Sequence, residues 1–85
     1  MTIDSAIKHL QSGEWQQAHA IVQDDESPFG CWAHGIVHML ERDFDNARYW
    51  YERANRSYPG DQAASAEIAA LALAWTQQSS AKDAR

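Results

Sequence analysis

Cysteine is almost absent from this 85-residue chain. Cys31 stands alone, so no internal disulfide can form, and a reducing compartment, the cytoplasm, is the expected setting. Only two prolines interrupt the chain, at Pro28 and Pro59. Leu, Ile, Val and Phe together number 13 of 85, a proportion low enough to suggest disorder if nothing offset it. No apolar run reaches the roughly 18 residues of a membrane span. The start, Met1-Thr2-Ile3-Asp4, has neither the basic nor the apolar region of a secretory signal, so none is expected. Basic residues are also few. Seven Lys and Arg against twelve Asp and Glu give a formal net charge of −5, which argues against general nucleic-acid binding. The length excludes a Rossmann unit, a TIM barrel or a two-domain enzyme.

What is present favours helix. There are 15 alanines and few β-branched residues, and no stretch alternates with the period of a strand. Four Trp, three Tyr and two Phe supply the apolar bulk the aliphatic residues lack, at about 150–250 Å² of buried surface each. Five helical segments follow from periodicity and punctuation. Residues 3–11 place Ile3, Ala6, Ile7 and Leu10 on one face, with Thr2 as cap and Gly13 as a left-handed stop. Residues 14–23 carry Trp15, Ala18 and Val22. Ser27-Pro28 starts a third segment, 28–41, with Trp32, Ala33, Ile36, Val37 and Leu40 as its apolar face. Asp43 caps a fourth, 44–57, lined by Phe44, Ala47, Trp50, Tyr51, Ala54 and Tyr58. Pro59-Gly60-Asp61 restarts the chain into a fifth, 61–78, with Ala64, Ile68, Leu71, Ala72 and Trp75 inward. Short loops predict antiparallel neighbours. One domain over 1–78 and a flexible C-terminal tail over 79–85 are expected.

The second and fourth segments echo each other. Gly13-Glu14-Trp15-Gln16-Gln17-Ala18 aligns with Arg42-Asp43-Phe44-Asp45-Asn46-Ala47: a turn, an acid that suits a helix N-terminus, an aromatic wedge, two polar residues and a small Ala. Gly35, Asp43, Phe44, Ala47, Tyr51, Ala54 and Pro59 fall at the spacing of the tetratricopeptide repeat, which this region resembles. The resemblance covers residues 28–61 well and 1–25 partially, and residues 61–78 look like the helix that caps such arrays. It implies an all-α fold of antiparallel helix hairpins, about two and a half repeats in five helices, with a groove lined by the first, third and fifth. The block from Trp32 to Ala54 is also similar to a group of small bacterial proteins without an assigned activity. Trp32, His34, His38, Asn46, Ala47, Tyr49, Trp50, Tyr51, Arg53 and Ala54 carry that similarity, which implies a bacterial cytoplasmic protein.

Two constellations are candidates for chemistry. His34 and His38 lie i, i+4 on the third helix, a spacing that offers two imidazoles to one metal ion. Further ligands would have to come from His9, His19, Cys31 or Glu41. The competing reading is structural, since the repeat resemblance places both histidines where paired helices pack. On the fourth helix Asn46, Tyr49 and Arg53 form a polar patch, or else a solvated face with Arg stacked on Tyr. Trp32, Ile36 and Met39 recur on one face of the third helix, matched by Ile3, Ile7 and Leu10 on the first. These stripes are either core or the floor of a peptide groove. No Ser-His-Asp set, phosphate-cradling glycine loop or Cys pair is present.

The expectation is therefore a non-catalytic protein–protein interaction module that needs no cofactor and no metal. Trp32, Ile36 and Met39 would anchor a peptide or partner protein in the groove, and Asn46, Tyr49 and Arg53 would select it. A second copy of the chain, as a homodimer through the same stripe, is the other candidate occupant. The alternative is a small metal- or ligand-binding protein using His34 and His38.

Overall fold

The computed structural model describes residues 2–83, and side chains through residue 78. It is all-helical, with no strand among the described residues. The helices are α1 (Ile3–Gln11), α2 (Trp15–Val22), α3 (Pro28–Glu41), α4 (Phe44–Arg53) and α5 (Ala64–Asp83). Local chemistry accounts for most of their ends. Thr2 accepts from the Ser5 amide, and Ser27 accepts from the Gly30 amide at 3.0 Å with Pro28 in the first turn; both satisfy donors the helix leaves unpaired.

The two echoing segments share a local geometry. Gly13 has φ 75° and Arg42 φ 67°, both left-handed, and each precedes an acidic N-cap. Ala18 and Ala47, at equivalent positions, are both fully buried. The caps differ in reach. The Asp43 carboxylate accepts from the Asn46 backbone amide and, at 3.0 Å, from its side-chain amide. Glu14, one methylene longer, makes no cap bond and pairs instead with His9 Nδ1 at 2.8 Å.

Two boundaries differ from the expected ones. α4 stops at Arg53 rather than 57, because Asn55 turns left-handed at φ 60° and the Arg56 amide bonds back to the Tyr51 carbonyl. Asn tolerates that conformation through its short polar side chain, so it can end a helix where a larger residue would strain. α5 begins at Ala64 rather than 61 and its backbone stays helical to Asp83. The sequence assigned 79–85 to a tail; residues 84–85 and the side chains of 79–83 lie outside the described residues.

α3 is the axis of the molecule. It packs against α1, α2, α4 and α5, and every residue from Gly30 to Met39 is buried. A helix surrounded on all sides has no outer face, which is why its apolar pattern is broad. Gly35 is what lets α4 approach: a Cβ there would meet Tyr51 Cδ1 at 2.6 Å and the Ala47 carbonyl at 3.3 Å. Tyr51 itself is fully buried.

α5 lies across α3 and α1. Leu71 enters the core completely. Trp75 donates to Asp4 on α1 and meets Phe29 edge-on at 5.1 Å between ring centroids. Nearer its start, Glu67 Oε1 accepts from both Trp32 Nε1 at 3.0 Å and the Tyr51 hydroxyl at 2.7 Å. One carboxylate oxygen thus ties α3, α4 and α5 together. Burial and this bond push the Tyr51 pKa above its ordinary value, so the hydroxyl stays a donor.

Candidate functional site

The expected peptide anchors are interior. Trp32 and Met39 are 3% exposed and Ile36 is 0%. The matching α1 stripe, Ile3, Ile7 and Leu10, is buried with them in one core. This corrects the expected groove floor. The physical reason is that α1, α3 and α5 all pack on one another, with Glu67 of α5 bonded to Trp32, so the two stripes close into one core instead of lining an open face. The expected selectivity residues lie elsewhere, exposed along α4. Asn46 is occupied with the Asp43 cap. Tyr49 remains 48% exposed, its hydroxyl accepting from Arg53 Nη1 at 3.0 Å. The two halves of the expected site therefore do not meet.

Trp32 and His34 are two residues apart, about 200° around a helix, so they project to opposite sides of α3. Each side carries a distinct arrangement.

On the Trp32 side, Pro28, Phe29, Trp32, Ala54, Arg56 and Ala74 line a cleft of about 110 Å³. The Arg56 guanidinium lies over the Trp32 indole, 3.5 Å from the ring centroid. Among the described residues no carboxylate comes within 4.0 Å of it to form an ion pair, whereas Arg48 pairs with both Asp45 and Asp61 and Arg53 with Glu26. From sequence Arg56 belongs with Arg42, Arg48 and Arg53 to a basic fourth segment expected to make internal salt bridges, and it is not among the expected site residues. It is 24 residues from Trp32 and just beyond α4, so no spacing rule connects them.

On the His34 side, three imidazoles converge. His34 and His38 stack one turn apart with centroids 4.9 Å apart. His19, from α2, meets them edge-on at 4.9 and 5.6 Å. Each offers one ring nitrogen, and those atoms lie within 4.8 Å of one another. The other face of the set is closed by Trp50, whose indole stacks on His34 at 3.8 Å and 11° between planes. His38 Nδ1 bonds to Glu41 Oε1 at 2.7 Å. His34 Nδ1 is buried with no partner. Of the four extra ligands the sequence offered, the structure brings His19 to the pair and sets Glu41 behind His38. His9 is engaged with Glu14, and Cys31 is buried in the core.

Burial, then the neighbouring His38 and His19, push the His34 pKa down to about 4 from 6.5. The folded state therefore binds a proton there less readily than the unfolded chain does. This contribution to stability is complete above about pH 6.5 and is lost as the pH falls from there towards 4. Urea midpoints are expected to drop by an amount equivalent to a few kcal/mol over that interval. A His34→Phe variant, which keeps a ring against Trp50, should lose most of this acid sensitivity. An unchanged pH profile in that variant would assign the sensitivity to other groups.

No family model, no curated protein and no solved structure matches the chain. No described helix is long and apolar enough to cross a membrane.

Proposed function

We propose that this chain is a non-catalytic protein-interaction module that captures the C-terminal end of a partner polypeptide in the cleft between α3 and α5. On this reading α1–α2 and α3–α4 are antiparallel hairpins of the tetratricopeptide type, and α5 closes the array instead of leaving its inner face open. The recognition element is correspondingly smaller than a groove and lies at one end of α3.

The observation that carries the reading is Arg56. A guanidinium stacked on an indole is held in place while its N–H donors stay available, and a carboxylate is the group that fits its planar fork. The walls beside it are apolar. A cavity of about 150 Å³ accommodates a benzene ring, so about 110 Å³ suits a single aliphatic side chain and is too small for a cofactor. An apolar residue next to a carboxylate is what a polypeptide C-terminus ending in Leu, Ile or Val presents. Tyr49 and Arg53, of types enriched at interfaces, offer a second exposed contact on α4 for a larger partner.

Panning a library of peptides displayed with free C-termini tests this. Apolar last residues should be enriched, and amidating a selected peptide should weaken binding at least tenfold. Ala74→Trp, which fills the cleft, should abolish the enrichment, and Arg56→Ala should reduce it. Equal recovery by the parent and Ala74→Trp chains, or no enrichment of apolar termini, would sink the proposal.

A further inference from the structure

We infer that His19, His34 and His38 form a binding site for one divalent transition-metal ion of the zinc type, joining α2 to α3. The site lies on the side of α3 opposite the cleft, so it stands or falls independently of the interaction reading.

Three features of the geometry support it. First, the donor set is chemically coherent. Three imidazoles from two helices suit Zn²⁺ and its neighbours Co²⁺, Ni²⁺ and Cu²⁺ better than hard, oxygen-seeking cations. Zinc–nitrogen bonds of about 2.0–2.1 Å in a tetrahedral arrangement bring donors to about 3.4 Å from one another. The three nitrogens already lie within 4.8 Å, and His19 is only partly buried, so modest rotation of its ring on α2 closes the difference.

Second, one ring lacks a partner. His34 is 3% exposed, and its Nδ1 is enclosed without a hydrogen bond. A buried polar atom left unpaired is destabilising, because it has given up water and gained nothing in return. Coordination through this nitrogen would remove that deficit.

Third, the support expected around a metal-bound histidine is present. Glu41 holds His38 Nδ1 at 2.7 Å, which leaves Nε2 as the ligating atom and orients the ring, as carboxylates behind metal-bound histidines do. Trp50 stacks flat on His34, fixing a second ring and shielding the site from solvent. Three protein ligands leave a fourth position for water or an exogenous donor.

The test uses the whole chain, prepared without a polyhistidine tag and stripped of metal. Titration with ZnCl₂, followed by calorimetry, should saturate at one ion per chain and raise the melting temperature. Co²⁺ should give the visible absorption of a tetrahedral centre, and Cu²⁺ should quench the tryptophan fluorescence of the chain, an effect reduced in Trp50→Phe. His19→Ala removes a partly buried ligand with little threat to the core, and it should weaken zinc binding by at least 100-fold. Glu41→Gln should weaken it by about 10–100-fold. His9→Ala, which removes a histidine outside the cluster, should leave binding unchanged. Absence of saturable binding, or binding that His19→Ala leaves unweakened, would show that the three rings are an aromatic packing cluster and overturn the inference.

Discussion

Replacing Trp32 by alanine is expected to cost about 3–5 kcal/mol of folding stability, the range for emptying a buried aromatic site. For a domain of this length the whole stability is on the order of 4–13 kcal/mol, so the variant should be largely unfolded at modest urea. Three losses combine. The indole is 3% exposed within the core, it donates to Glu67 at 3.0 Å, and it carries the Arg56 guanidinium on its face. Trp32→Phe separates them. It keeps most of the packing and loses the N–H donor, so it should cost about 1–2 kcal/mol. Urea unfolding followed by circular dichroism measures both. A surface-anchor role for Trp32 would instead predict near-native stability for Trp32→Ala, and that result would refute its place in the core.

Glu67→Ala should have the second-largest effect. The carboxylate oxygen accepts from Trp32 Nε1 and from the Tyr51 hydroxyl. Removing it leaves two largely buried donors without an acceptor. At about 1–3 kcal/mol for each unpaired group, and with water able to reach the partly buried Glu67 position, a loss of about 2–4 kcal/mol is expected. Glu67→Gln retains an acceptor oxygen but not the charge, and charge-assisted bonds are about twice as strong as neutral ones; its cost should be roughly half. The loss should be shared with Tyr51→Phe. A double-mutant cycle is expected to give a coupling of at least about 0.5 kcal/mol, whereas additive effects would mean the two side chains act separately. Hydrogen exchange offers a further check, since the first turns of α5 should open before α3 in Glu67→Ala.

These two variants probe the same junction, and its components differ in how readable they were. The helices themselves were legible. Thr2, Ser27-Pro28 and Asp43 mark starts by side-chain chemistry that operates within three residues, and the i, i+3, i+4 recurrence of Ile3, Ala6, Ile7 and Leu10 selects a face without reference to the rest of the chain. The end of α4 was legible in principle through Asn55, whose tolerance of left-handed backbone is a local property. The late start of α5 had a weaker signal, because Asp61, Gln62 and Ala63 suit the first turn of a helix as well as the turn they form.

The placement of α5 was not legible. Its apolar residues fit a cap at the end of an array as well as a cover over α1 and α3, because periodicity gives a face and not the surface that face meets. The packing of α1, α3 and α5 on one another turned Trp32, Ile36 and Met39 from candidate anchors into core and left Asn46, Tyr49 and Arg53 without the groove they were expected to flank. Likewise, His34 and His38 could be paired from their one-turn spacing, but choosing His19 over His9 needed the approach of α2 to α3. Arg56 reaches Trp32 only because the chain reverses at Asn55.

By itself, then, the amino-acid sequence determined the all-helical class, nearly all the helix starts and the apolar stripe of each helix. These depend on propensity, capping and periodicity, which act over a few residues. Tertiary structure alone decided which faces meet, and with them the buried stripe, the side-chain-sized cleft beneath Arg56 and the three-histidine cluster. Contacts between residues from 15 to more than 40 positions apart depend on helix crossings that no local preference specifies.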